Sequence, residues 1–266
     1  MKKTLIALLA LAGMASGATL LPTELQTNWE SDTVAYYDFD STTGDVLANK
    51  STSENKSGSS WTSNGLSYTT NDGYITTSNA GGQWSGFYNA NIALSGDWAV
   101  SIQIDAANGA GTSRGIMQFG GEYDKVMALY IGNGADDWGN LGLAFADGSR
   151  YALTNDSYKT GLHTYSISYT DGSLRLWVDS TDITSQLTLI TGNGTGVDSS
   201  FDAATPTGDV TVSKIGYTND FGPHGLASGT SFYELSAYSL KSVPEPATAS
   251  LSLLGLAALM IRRRRA

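Results

Sequence analysis

The sequence predicts an all-β fold in which two antiparallel sheets pack as a jelly-roll sandwich. Three observations carry that prediction. Short segments of alternating apolar and polar residues recur along the chain, and a tight-turn dipeptide joins two of them in a self-consistent register. No apolar stripe of helical period stands between residues 19 and 242. Low charge density with abundant Gly, Ser, Thr, Asn, Tyr and Trp fits strands joined by turns.

The clearest element is a hairpin over residues 163–179. Tyr165, Ile167 and Tyr169 alternate with Ser166, Ser168 and Thr170, and Asp171-Gly172 supplies the positive φ angles of a type I′ turn. On the return, Leu174, Leu176 and Val178 alternate with Arg175, Trp177 and Asp179. A two-residue turn pairs Tyr169 with Leu174, Ile167 with Leu176 and Tyr165 with Val178, so turn chemistry and face pattern select one register. Trp98, Val100, Ile102 and Ile104 mark a second strand, with Ala99, Ser101, Gln103 and Asp105 facing away. Further strands are expected at Val34–Asp40, Gly65–Tyr68, Gly73–Thr76, Gly115–Phe119, Val126–Ile131, Leu141–Ala146, Val210–Tyr217 and Ser231–Leu240, and a long polar loop at Ser51–Ser60. Short strands with one polar face each need two stacked sheets to bury the other.

Both ends read differently from the middle. Residues 1–18 have the layout of a secretion signal: Lys2 and Lys3, an apolar stretch from Leu5 to Ala12, and Ser16-Gly17-Ala18 for signal peptidase, with cleavage expected after Ala18. Residues 243–266 begin with Val243-Pro244-Glu245-Pro246, whose prolines break regular structure. An apolar run over 247–261 follows, short of the roughly 20 residues of a bilayer span. Arg262, Arg263, Arg264 and Arg265 close it and should stay on the cytoplasmic side, leaving the β domain outside. This order resembles the PEP-CTERM sorting tail of Gram-negative bacteria. The resemblance implies an exosortase-type membrane protease as partner, a transient inner-membrane anchor, a final place at the cell surface or outside the cell, and a link to exopolysaccharide.

The three units are therefore the signal at 1–18, a domain at 19–242 and the tail at 243–266. With both ends set aside, nine basic and 24 acidic residues remain, so the domain is near −15 and unsuited to nucleic acid. It has no cysteine, so it has no disulfides to rely on outside the cell.

The strands also resemble the LamG-like group of concanavalin A-like lectin/glucanase domains. Val34-Ala35-Tyr36-Tyr37-Asp38-Phe39-Asp40 is similar to that group's opening strand, and Gly161–Tyr165 through Leu174–Asp179 to its central hairpin. Ile215-Gly216 and Phe232–Leu240 are similar to its closing strands. Leu162 stands where Trp is common, and Ser180 where Gly would end the hairpin. The resemblance implies a concanavalin A-like sandwich, a scaffold that hosts glycosidases, lectins and passive modules alike.

Catalysis finds little support. The related laminarinase-like enzymes carry Glu-x-Asp-x-Glu or Glu-x-Asp-x-x-Glu, because a retaining glycosidase needs two carboxylates about 5 Å apart. Glu122-Tyr123-Asp124 and Glu30-Ser31-Asp32 match only the first half, and glutamates 24, 30, 54, 122 and 234 form no such pair in sequence. An aspartate pair from different strands stays open. His163 begins a strand and reads as a packing residue, and His224 lies in a turn-rich loop. Two histidines without cysteine build no zinc site. Calcium suits hard oxygen ligands on loops, and Asp136 and Asp137 are its candidates, with a solvated acidic turn as the alternative.

Carbohydrate binding needs an exposed aromatic platform beside amides or carboxylates. Three places qualify: Trp177 with Arg175 on the polar face of the hairpin, Trp138 beside Asn140, and Trp84 with Tyr88 in a glycine-rich stretch. Two non-enzymatic readings compete, a surface module that binds glycan or matrix polymer and a structural or adhesive coat protein without a small ligand. A hydrolase is the third.

Overall fold

A computed structural model describes residues 20–78, 85–107, 113–120, 125–134, 139–191, 208–218 and 225–243. The expected signal, most of the sorting tail and the residues Trp84, Asp136, Asp137, Trp138 and His224 lie outside these, as do Ala18, Pro244, Glu245, Pro246 and Arg262 to Arg265.

The described residues form sixteen strands, one short α-helix and two single-turn 3-10 helices at Ser41–Thr43 and Thr184–Gln186. They run α1 (Thr23–Asn28), β1 (Trp29–Tyr37), β2 (Thr62–Asn64), β3 (Tyr68–Asn71), β4 (Tyr74–Thr77), β5 (Gly86–Leu94) and β6 (Trp98–Ala106). Then come β7 (Arg114–Gly120), β8 (Lys125–Ile131), β9 (Leu141–Phe145), β10 (Arg150–Ala152), β11 (Gly161–Thr170) and β12 (Ser173–Val178). The last are β13 (Thr181–Asp182), β14 (Thr188–Thr191), β15 (Val210–Ile215) and β16 (Ser231–Ser242). The first sheet has the order β13-β12-β11-β6-β16-β4-β3, with β1 also on β16; the second is β14-β10-β9-β8-β7-β15-β5-β2. All pairings are antiparallel, and the fold is a two-sheet all-β sandwich.

The hairpin register is the expected one, Tyr165↔Val178, Ile167↔Leu176 and Tyr169↔Leu174, and Asp171 and Gly172 both take positive φ. From β6, Trp98, Val100, Ile102 and Ile104 point into the core. They meet Phe119, Met127, Leu129 and Leu143 of the opposite sheet in one continuous cluster. Aromatic contacts tie its ends: Trp98 lies 5.7 Å from Phe119, Phe87 5.5 Å from Phe232, and Tyr37 5.6 Å from Trp61. Burial of this many large side chains supplies the stability that disulfides cannot.

Several boundaries differ from expectation. The first strand starts at Trp29 rather than Val34, because Trp29–Tyr37 pairs with the whole tail end of β16, down to Trp29↔Ser242. Of the strand expected at 65–68 only Tyr68 lies in a strand; Gly65, at positive φ, starts the connection that takes the chain from β2 in the second sheet to β3 in the first. Strand β5 was not anticipated, although Ala90, Ile92 and Leu94 face the core and alternate with exposed Asn91 and Ala93; Asn89 and Asn91 take positive φ inside it. Helix α1 corrects the expectation of no helix; at six residues it is too short to show a stripe, and it buries only Leu25. Residues 51–60 form the expected loop, tied to the body by Ser57 N–H to Val34 O (2.8 Å) and Ser59 N–H to Ala90 O (2.8 Å). Among the described residues no helix is long and apolar enough to cross a membrane.

Candidate functional site

Each sheet has an outward face, and the two are unlike. On the first sheet, Trp177 turns away from the intersheet core as the hairpin pattern requires, but it is only 2% exposed. Leu21, Leu25, Ala99, Tyr238 and Leu240 pack with it in a second apolar cluster under α1, joined by Trp29. Its indole N–H donates to Ser168 Oγ at 2.9 Å. The expectation of an exposed platform at Trp177 is thereby corrected: the N-terminal segment covers the ring. Arg175 bonds Asp182 at 3.0 Å and approaches Glu24 of α1 at 4.0 Å, so it fastens the cover.

His163 holds the hairpin closed. Its Nδ1 lies 2.7 Å from Asp179 Oδ2, while Asp179 Oδ1 accepts the Thr164 N–H at 2.9 Å. The packing role expected for this histidine fits that geometry.

Beyond α1 the same face stays polar. Glu234 hydrogen-bonds Ser236 and Tyr36, and burial first, then the Asp38 charge, push its carboxyl up to about 7. Tyr36 is raised in turn by burial and by Glu234. A raised glutamate is a general-acid trait, but Asp38 is committed to an ion pair with Lys50 and a 2.8 Å bond from Thr43. Sequence reading passed over Glu234 because it sits in no glutamate motif; its only signal is a carboxylate at a strand position flanked by aromatics.

The outward face of the second sheet is built by register. Tyr88 lies across from Lys214, Lys214 from Gln118, Gln118 from Ala128, Ala128 from Ala144, and Ala144 from Arg150, a single row over six strands. Lys214 is 5% exposed, its ammonium 5.7 Å from the Tyr88 ring centre and 5.5 Å from that of Tyr217. The two rings stand 5.4 Å apart. This is cation–π geometry, which keeps a charge on the face with little water around it.

In the neighbouring row Tyr130 lies between Gly115 and Gly142. A Cβ on Gly115 would come within 2.3 Å of Thr218 Oγ1, so glycine is what lets Thr218 close onto the sheet. Small residues thus lie beside Tyr88, Tyr217, Gln118 and Lys214; of these four only the Tyr88 ring is partly open to solvent, Gln118 and Tyr217 being 0% exposed. Thr218 Oγ1 and Asn140 Oδ1 are buried and have no hydrogen-bond partner. Buried polar atoms left this way cost free energy unless something else satisfies them.

Of the expected ligand-binding residues, the structure brings Tyr88 and Asn140 to the second sheet, whereas Arg175 and Trp177 lie on the far side of the sandwich. Trp84 and Trp138 precede Tyr88 and Asn140 in sequence but are outside the described residues. Sequence reading missed Lys214, Gln118 and Tyr217, since their neighbourhood with Tyr88 is made by pairings between distant parts of the chain, Lys214 with Tyr88 and with Gln118. Among the described residues no group of three acidic, His or Cys side chains is placed to hold a metal.

No protein-family model matches the chain, and no curated protein does. Solved structures with a similar chain path include domain 4 of AbnA, a GH43 extracellular arabinanase from Geobacillus stearothermophilus, in complex with arabinotriose. It is 15% identical over 81% of this chain and 96% of that one, with a TM-score of 0.49. The exoplasmic/lumenal domain of VIP36, bound to Ca2+ and Man3GlcNAc, is 14% identical over 70% and 86%, with a TM-score of 0.39. Trypanosoma rangeli sialidase in complex with sialic acid is 11% identical over 80% of this chain and 31% of its own, with a TM-score of 0.46. At such values the likenesses say nothing about what this chain binds.

Proposed function

We propose that the protein is an exported surface or matrix component whose LamG-like sandwich binds an extracellular glycan without cleaving it, through the outward face of the second sheet. The observation that carries this is the half-buried Tyr88 ring at the end of the row Tyr88–Lys214–Gln118, with Thr218 and Asn140 of the same layer holding buried polar atoms that lack partners. Aromatic rings for sugar faces and a few convergent polar groups are what a saccharide site needs. Export and exosortase sorting are supported by the basic and apolar start, by Val243-Pro244-Glu245-Pro246 and by the four closing arginines.

The test is affinity electrophoresis of the full-length protein, in neutral detergent, through gels containing one polysaccharide at a time. Retardation by at least one polymer, lost in Tyr88→Ala, is expected; passage through all of them unretarded defeats the reading. A coat or adhesive protein without a small ligand is the second reading, and the burial of Trp177 favours it, because one of the aromatic sites serves packing.

A further inference from the structure

We propose that Lys50 and Asp38 condense to an intramolecular amide, a covalent cross-link in a chain that has no cysteine for disulfides. The link needs no ligand or cofactor and holds whether or not the sandwich binds glycan.

Register brings the groups together. Strand β1 pairs with β16 as Tyr36↔Ser236 and Tyr37↔Leu235, and one step further the same register sets Asp38 across from Glu234. On the other flank of β1 the Lys50 N–H donates to Tyr36 O at 2.7 Å. Lys50, Asp38 and Glu234 therefore follow one another across three neighbouring segments. The Lys50 ammonium donates to Asp38 Oδ1 and to Thr43 Oγ1. Both side chains are largely withdrawn from water, Lys50 at 18% exposure and Asp38 at 16%.

The Asp38 carboxyl is polarised for attack. The Asp40 N–H donates to its Oδ1 at 3.1 Å and the Thr43 hydroxyl to its Oδ2 at 2.8 Å. Donors on both oxygens draw charge off the carboxyl carbon and stabilise a tetrahedral adduct. In the step, the Lys50 nitrogen bonds to Asp38 Cγ, one carbon–oxygen bond breaks, and that oxygen leaves as water. The ammonium gives up two of its three protons and both depart with the water, so atoms and charge balance. Glu234 carries the protons. Burial first, then the Asp38 charge, push its carboxyl up to about 7, where it can both take and give one. Holding nitrogen and carboxyl in contact supplies an effective molarity on the order of 10⁵ M or more, which drives amide formation in water.

The cross-link ties the end of β1 to a residue 12 positions on. Closing that loop removes freedom from the unfolded chain and so favours the fold.

The experiment is mass spectrometry of the denatured full-length protein, fresh and after prolonged incubation at neutral pH. A mass one water below the value its sequence requires is expected, and proteolysis should release peptides joined through Lys50 and Asp38. Lys50→Met and Asp38→Ala each restore the full mass. Glu234→Gln slows the loss of water about a hundredfold. A full mass in the unsubstituted protein overturns the proposal whatever the variants do, so a variant that fails to fold cannot shield it. Water loss that persists in Lys50→Met also overturns it, since a cyclic imide at Asp38 weighs the same as the amide. Unslowed loss in folded Glu234→Gln overturns the role given to Glu234.

Discussion

Replacing Trp177 by alanine separates two roles that sequence pattern alone could not tell apart. The ring is 2% exposed, packed against Leu21, Leu25, Tyr238 and Leu240, and its N–H bonds Ser168 Oγ at 2.9 Å. Truncating a buried Trp removes its transfer free energy and opens a cavity, about 3–5 kcal/mol. The lost hydrogen bond strands a fully buried serine hydroxyl, for about a further 1 kcal/mol. Against a total stability of about 5–15 kcal/mol, the loss is a large fraction of the fold. Denaturant unfolding followed by far-UV circular dichroism measures it, and Leu25→Ala, which thins the same cover from above, should cost about 2–5 kcal/mol. A cost below about 0.5 kcal/mol for Trp177→Ala is what a surface residue gives, and would mean that α1 does not cover the ring.

Three further outcomes are expected. Glu234 is held near 7 in the fold, above its ordinary 4.5, so its burial favours the protonated form; stability is full at low pH and falls as pH rises between those values. Glu234→Gln should remove that slope, about 1–2 kcal/mol after allowance for solvent screening, as read from melting temperatures at pH 5 and pH 8. Ser180 takes φ of +66° where the resembling hairpins carry glycine, so Ser180→Gly should stabilise by about 0.5–1 kcal/mol in chemical denaturation, and a loss would speak against the left-handed turn. Changing Arg262 to Arg265 to alanine together should remove the inside anchor, moving the protein out of the membrane fraction or stalling its processing; unchanged fractionation counts against the sorting tail.

What could be read from sequence follows from how local each determinant is. The hairpin was legible to the residue, because Asp171-Gly172 and the flanking alternation lie within one continuous stretch. Strand β6 was legible for the same reason, with its apolar positions two apart. Strand β15 was legible as an apolar-polar run, whereas β5 was passed over although Ala90, Ile92 and Leu94 alternate with Asn91 and Ala93. The burial of Trp177 was invisible because its cover comes from Leu21 and Leu25, some 150 residues earlier in the chain. Polar strand faces look alike in sequence whether water or a helix lies over them. The Lys214 site was illegible on the same grounds: Tyr88, Gln118 and Lys214 meet only through long-range pairing.

The place of β16 has a mechanical consequence. It is clamped along its length between β6 on one side and β1 with β4 on the other, and it leads directly into Val243-Pro244-Glu245-Pro246. A pull arriving through that segment while a polymer is held on the opposite layer would draw β16 lengthwise. The rungs on both its flanks would then be strained together rather than one after another. A pull between the two chain ends would instead peel β1 away from Trp29 and Ser242 inward, one rung at a time. The sandwich thus resists a pull that draws β16 against the opposite layer and yields to one across its own termini.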